Sequence, residues 1–325
     1  MYENLVPASQ STDVMPLTQL EDVVRDYARA SKATNTIRAY RADLADFTLW
    51  CADHDLTRLP AAPETVALYI SALAQAGARA STIQRRLSAL SQAHQLVGYE
   101  PSPTQAPLVR STMAGIRRRL GIAPEQKTPT LTPDLRRMVA TCPNDTLAGA
   151  RDRALLLLGF AGAFRRSELV SLDVDDLEET ADGLRVQLRR SKTDQEGEGR
   201  EVGIPFGQHP ETCPIRALRA WRAAGPIQAG PVFRPINRHD QLQEMRLTDK
   251  GVARIVKRAA ERAGLGPSRY AGHSLRAGLA TAAAEGGASE RAIMKQTGHR
   301  SVTMVRRYIR SGTLFQENAA AYVGL

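Results

Sequence analysis

Leu184-Arg185-Val186-Gln187-Leu188-Arg189 alternates apolar and polar side chains, Ser191 to Gly199 is a turn rich in glycine and charge, and Arg200 to Pro205 reads as the returning strand. A period of two is the mark of a half-buried strand, because successive side chains point to opposite faces of a sheet. This hairpin lies in a chain whose other periodic stretches are helical. The fold class is therefore mainly α: an N-terminal all-α helical bundle, then an α-rich C-terminal domain with a small antiparallel β-sheet.

Upstream of the hairpin the apolar period is that of helices. Leu20, Val23, Val24 and Tyr27 share one face, and Ile37, Tyr40, Leu44, Phe47 and Cys51 that of a second helix, which opens at Thr34 to Thr36, where a hydroxyl can cap it. Pro63 suits the first turn of a third helix carrying Val66, Tyr69, Ile70 and Leu73. Ser81 or Thr82 caps a fourth with Ile83, Leu87, Leu90 and His94. A fifth groups Leu108, Val109, Thr112, Met113 and Ile116. The prolines Pro124, Pro129 and Pro133 interrupt this pattern, which places a flexible arm at 1–15, a helical domain at 16–121, a linker at 122–133 and a second domain at 134–325. That domain opens with a helix near Asp134 to Cys142 and continues through the nearly all-apolar Ala154 to Phe160, a buried helix. After Cys213 helices dominate again.

At 325 residues and 35.4 kDa the chain has room for two cores. Its 42% hydrophobic and 24% charged residues fit a folded, soluble protein, and no apolar run is long enough for a transmembrane span. Cys51, Cys142 and Cys213 are far apart and odd in number, neither a disulfide framework nor a zinc site. With no export signal after Met1, a reducing, cytoplasmic location is expected. Lys and Arg outnumber Asp and Glu by 44 to 34, giving +10 and a pI near 9.9. Much of the excess is paired or tripled arginine, whose planar fork suits phosphate oxygens, so nucleic acid is the expected partner.

Phosphate-cradling and metal signatures are absent, and no cofactor is expected. Asp173, Asp175 and Asp176 have the residue type of a Mg²⁺ site, but a solvated acidic loop after a helix is the better reading of their spacing. What remains is a series of basic groups in the second half. Arg165 and Glu168 lie in Gly162-Ala163-Phe164-Arg165-Arg166-Ser167-Glu168-Leu169, and Lys192 lies at the hairpin tip. His273 and Arg276 stand three apart in Gly272-His273-Ser274-Leu275-Arg276, on one face of a helix. His299 follows a glycine, and Tyr308 comes nine residues later. Each alone has a structural explanation: a carbonyl-capping arginine, a surface lysine, a satisfied histidine, a tyrosine at the edge of a core.

Taken together and in this order, these residues resemble the catalytic set of the tyrosine recombinases, the phage integrase family. The likeness covers essentially the whole chain, and the interval from Arg276 to Tyr308 (308 − 276 = 32) also fits. The fourth helix and the stretch from Tyr308 onward look most like the Cre-type phage recombinases. His299 is a departure from that type: Cre itself carries tryptophan there, while most of the wider family has histidine.

The resemblance implies a site-specific recombinase that needs neither metal nor ATP. Tyr308 is the nucleophile and leaves a 3′-phosphotyrosine. Arg165 and Arg276 neutralise the charge that spreads over the phosphate in the transition state. His273 and His299 add hydrogen bonds, with His273 the acceptor of the tyrosine proton. Lys192 is the general acid for the leaving 5′-oxygen, and Glu168 orients a base or an arginine. Exchange through a four-way junction implies a homotetramer on double-stranded DNA carrying inverted repeats. The segment from Thr313 to Leu325, with Ala319, Ala320, Tyr322 and Val323, is then expected to dock on a neighbouring protomer. Arg38, Arg41, Arg85 and Arg86 are the base-contact candidates, since the family's equivalent helices enter the major groove. Arg117, Arg118 and Arg119 are expected to track the backbone, and Lys250 and Arg254 to read a second groove segment. The family also implies a bacterial, nucleoid-associated protein of phage, plasmid or chromosomal origin. A type IB topoisomerase, a DNA-binding regulator without catalysis and, more distantly, a metal nuclease are the rival readings.

Overall fold

The structure is a computed structural model that describes residues 32–122, 127–189, 198–312 and 323. The helix expected from Leu20 to Tyr27 lies outside them. The chain divides into two compact units, Met1–Pro124 and Glu125–Leu325.

The first unit contains α1 (Thr34–Asp53), α2 (Pro63–Gln75), α3 (Ala80–Leu96) and α4 (Pro107–Leu120). Pro63 and Pro107 sit in the first turns of their helices, where the missing N–H leaves no bond unmade. Phe47, Cys51, Val66, Tyr69, Ile70, Ile83, Leu87, Leu90, Val109, Met113 and Ile116 form the core, following the helical period. His94 is a structural member of it: its Nε2 accepts the Ala61 N–H at 2.9 Å and its Nδ1 lies 2.8 Å from the Leu90 carbonyl. Leu108 departs from expectation. It is 45% exposed, because the inward face of the helix runs through Val109, Met113 and Ile116 and leaves Leu108 at its edge. The expected hydroxyl caps are absent too. Ala33 precedes α1 and Arg79 precedes α3, neither with a side-chain cap.

The second unit is built around α6 (Leu147–Ala161), capped by the Thr146 hydroxyl, which accepts the Gly149 N–H at 3.1 Å. Leu155, Leu156, Leu157 and Leu158 on this helix are all buried, so it is covered on every side. Around it lie α5 (Thr132–Ala140), α7 (Arg166–Ser171), α8 (Pro214–Ala224) and α9 (Asp249–Arg262). Helix α5 is the one expected near Asp134 to Cys142, set two residues earlier, with Pro133 inside its first turn. The sheet runs β1 (Leu177–Glu179), β2 (Gly183–Leu188), β3 (Arg200–Pro205), antiparallel throughout, with Leu184 opposite Ile204 and Val186 opposite Val202. Leu184, Val186, Leu188, Val202 and Ile204 point into the core, as the alternation requires. Strand β1 is an addition; three residues are too few to show a period.

Helices α10 (His273–Glu285), α11 (Glu290–Thr297) and α12 (Val302–Gly312) form a smaller cluster around Ala280, Ala284, Ile293 and Val305. Helix α10 lies so close to the segment before α5 that a Cβ on Gly278 would sit 1.9 Å from the Thr130 carbonyl oxygen.

Candidate active site

The site forms where the turn after α6, the first turn of α10, the turn after α11 and helix α12 meet. After α6, Ala163 adopts a left-handed φ of 49°, and Arg165 occupies the N-cap position of the next helix. Glu168, only 1% exposed, accepts the Arg165 backbone N–H at 2.9 Å and the Arg165 Nη1 at 2.5 Å. A carboxylate one turn into α7 thus fixes both the start of the helix and the side chain of Arg165.

Arg276 lies in the first turn of α10 and is fully buried. Its Nη1 donates to the Ala163 carbonyl at 2.8 Å, so the left-handed turn aims that oxygen at the guanidinium. Its Nη2 donates to His299 Nε2 at 3.2 Å. Burial, with Arg165 and Arg200 nearby and Glu168 opposing, holds the Arg276 pKa down to about 10. The Arg276 Nε–H is buried and has no hydrogen-bond partner among the described residues.

Helix α11 ends at Gly298, in the left-handed conformation at φ 64°, which turns the chain so that His299 enters the site. The ring is held at both nitrogens, since Nδ1 lies 2.7 Å from the Thr297 hydroxyl oxygen. Arginine can only donate, so Nε2 is an acceptor and the proton is on Nδ1. Burial, then Arg276, Arg165, His273 and Arg200, lowers the His299 pKa to about 4, which keeps the ring neutral. Tyr308 projects from α12, half-buried against the small apolar cluster. Its hydroxyl is 3.2 Å from Nε2 of the exposed His273, and its ring centroid is 5.8 Å from that of His299.

The structure therefore brings Arg165, Glu168, His273, Arg276, His299 and Tyr308 to one place. Lys192 lies outside the described residues. Arg200, the first residue of β3, is beside the same cluster, 3.8 Å from Glu168, and nothing in the spacing of the sequence marks it. Two arginines, a third behind them, and a phenol next to an imidazole make a site for an anion, with an oxygen nucleophile and a base in contact. Asp173 and Asp176, by contrast, are engaged as ion-pair partners, with Arg246 at 2.6 Å and Arg189 at 2.7 Å. Among the described residues no group of three His, Cys, Asp or Glu could hold a metal ion.

The basic side chains of the first unit differ from one another. Arg38, Arg41, Arg85, Arg117, Arg118 and Arg119 are exposed. Arg38 is bonded to Asn35 and Arg117 to Gln84. Arg85 is ion-paired with the buried Asp43 and still presents 43% of its side chain. Arg86 presents 18% and is held by Asp46 and Tyr69 within the unit. In the second unit Lys250 and Arg254 are exposed on α9.

Comparison with known proteins matches residues 129–313 to the phage integrase family and residues 24–97 to the phage integrase N-terminal SAM-like domain. An integrase/recombinase xerD homologue of Selenomonas ruminantium is 44% identical over 291 residues, covering 89% of this chain and 85% of its own. A tyrosine recombinase of Synechococcus elongatus is 30% identical over 308 residues, covering 88% of each. Among solved structures, XerH recombinase bound to palindromic difH aligns with a TM-score of 0.65 at 18% identity, over 95% of this chain and 85% of its own. A lambda integrase dimer bound to a COC′ core site aligns with a TM-score of 0.59 at 17% identity, over 90% and 95%.

Proposed function

Because this chain belongs to the phage integrase family, we propose that it is a site-specific DNA recombinase that breaks and rejoins DNA strands through Tyr308. The observation that carries this is the 3.2 Å contact between the Tyr308 hydroxyl and His273 Nε2, beside Arg165, Arg276 and His299. A phenol is a poor nucleophile near neutral pH unless a base takes its proton. His273 Nε2 is within reach to do so as the phenolic oxygen attacks phosphorus. The bond to the 5′-oxygen breaks, leaving a 3′-phosphotyrosine, and Lys192 supplies the proton that the 5′-oxygen needs. Arg165 and Arg276 neutralise charge on the non-bridging oxygens, and their preset geometry keeps reorganisation small. The phosphotyrosine retains the energy of the broken bond, so a 5′-hydroxyl from a second duplex reverses the step without ATP or metal.

The finer reading follows the same logic. Residues 16–121 form a DNA-binding domain and 134–325 the catalytic domain, joined by a linker at 122–133. Arg38, Arg41, Arg85 and Arg117 to Arg119 of the first, with Lys250 and Arg254 of the second, supply contacts to an inverted-repeat duplex. Two strand exchanges through a four-way junction require four protomers, held by exchange of the segment from Thr313. A groove of about 430 Å³ on the catalytic unit, with Leu135, Leu157, Phe160, Phe206 and Leu279 in its walls, supports docking of such an apolar tail. No helix among the described residues is long and apolar enough to cross a membrane, and the proposed action on DNA implies a bacterial protein of the cytoplasm and nucleoid. No observation favours the topoisomerase or the non-catalytic reading.

The test uses a library of nicked random-sequence duplexes in EDTA, with collection and sequencing of SDS-resistant adducts. Adducts that need Tyr308 and enrich an inverted repeat support the recombinase. Adducts without enrichment point to a topoisomerase, and selective binding without adducts points to a regulator.

A further inference from the structure

Arg200 has no part in the chemistry above, yet it is the third guanidinium of the site. It stands at the start of β3 with 21% of its side chain exposed. Its Nη1 donates to the Gln296 carbonyl at 3.3 Å, in the last turn of α11. Its Nη2 is 3.8 Å from Glu168 Oε2, close enough to pair but too far to hydrogen-bond. The guanidinium also covers Gly298, where a Cβ would lie 2.7 Å from Nε and 2.8 Å from Cζ. Nε and Nη2 are both buried and have no hydrogen-bond partner among the described residues.

A buried guanidinium with two bonds unmade is destabilising, and burial accordingly pulls the Arg200 pKa down. A side chain kept only for stability is not left in that state. Direct contact with DNA phosphate is closed to these two groups, because protein atoms cover them. What the side chain does touch is the turn that delivers His299 and, across 3.8 Å, the carboxylate that holds Arg165.

Resting on the recombinase reading, we propose that Arg200 is a positioning residue: it clamps the Gly298–His299 turn toward Glu168, so that the His299 ring meets Arg276 in register with Arg165. It thereby joins the α7 side of the site to the α11 side. The ring is faced by Arg276 and His273 from α10, by Arg165 at the start of α7, by Arg200 from β3 and by Tyr308 from α12. Lysine is not an equivalent, because one ammonium cannot hold the Gln296 carbonyl and face Glu168 in a fixed fork.

The test compares the full chain with Arg200→Met and Arg200→Lys. The readouts are the melting temperature without DNA, the ¹⁵N NMR tautomer of His299, and the rate of Tyr308-dependent adduct formation on duplexes enriched from the nicked library. Arg200→Met is expected to melt no lower than wild type, since it removes a largely buried charge two of whose nitrogens make no hydrogen bond. His299 in it should lose the Nδ1–H tautomer, and adduct formation should fall about 100-fold, as for loss of one oriented hydrogen-bonding group. Arg200→Lys should stay low in rate. The proposal is overturned if Arg200→Met keeps both the wild-type tautomer and the wild-type rate, or if it melts lower and Arg200→Lys restores everything. Should wild type form no adduct, the recombinase reading fails separately, and the DNA-free spectra of His299 still decide the role of Arg200.

Discussion

Arg276 Nη2 donates to His299 Nε2 across 3.2 Å, and this bond fixes which ring nitrogen carries the proton of a ring that burial, before any charge, keeps neutral. With Nε2 committed as an acceptor, the proton resides on Nδ1, facing the Thr297 hydroxyl. The neutral form is favoured in the folded chain, where the pKa is about 4 against 6.5 for an unperturbed histidine. Between those values the unfolded chain binds a proton that the folded chain does not, so stability contributed by His299 is present above about pH 6.5 and is lost as pH falls toward 4. Melting temperatures from pH 7 to pH 4 should therefore fall less steeply in His299→Gln than in wild type. Parallel curves contradict this assignment.

Tyr308 is half-buried, and the bond its hydroxyl makes is to an exposed histidine. Tyr308→Phe should abolish covalent adducts while changing stability by no more than about 0.5 kcal/mol, since the ring packing is kept and only a bond to an exposed histidine is lost. His273→Ala should slow adduct formation by about 10² to 10⁴, the usual contribution of a positioned base. Denaturant unfolding and single-turnover cleavage check the pair.

Arg86 and Arg117 should behave in opposite ways. Arg86→Ala removes the partner of Asp46 and Tyr69 and should destabilise the first unit, read as an earlier urea midpoint. Arg117→Ala, at an exposed site, should leave stability unchanged and lower the slope of log affinity against log salt by about 1, as for one lost phosphate contact.

Two glycines make a contrasting pair for backbone packing. Gly278→Ala places a methyl against the Thr130 carbonyl and should cost at least about 3 kcal/mol or prevent folding. Gly115→Ala, in α4 with nothing within 4 Å, should stabilise by about 0.5 to 1 kcal/mol. Thermal unfolding of the two variants decides.

The helices and the β2–β3 hairpin were legible because Ile83, Leu87 and Leu90, or Leu184, Val186 and Leu188, repeat at the periods of their elements. Asp43 was not. It is a carboxylate on an otherwise ordinary helix, buried and paired with Arg85, which reaches it from α3, 42 residues away, and with Arg86. Strand β1 escaped for want of length. The chemical groups of the site were legible by residue type and order. The device that aims them was not, because it depends on backbone conformation at Ala163 and Gly298 and on the reach of Arg200. No one-dimensional pattern records a carbonyl pointed at a guanidinium.

The most direct test of the account is to digest the DNA of a purified wild-type adduct with nuclease, proteolyse the protein, and locate the remaining nucleotide by mass spectrometry. A 3′-linked nucleotide on Tyr308, formed in EDTA, is the predicted result. A nucleotide on any other residue, a 5′ linkage, or adducts that persist in Tyr308→Phe would contradict it.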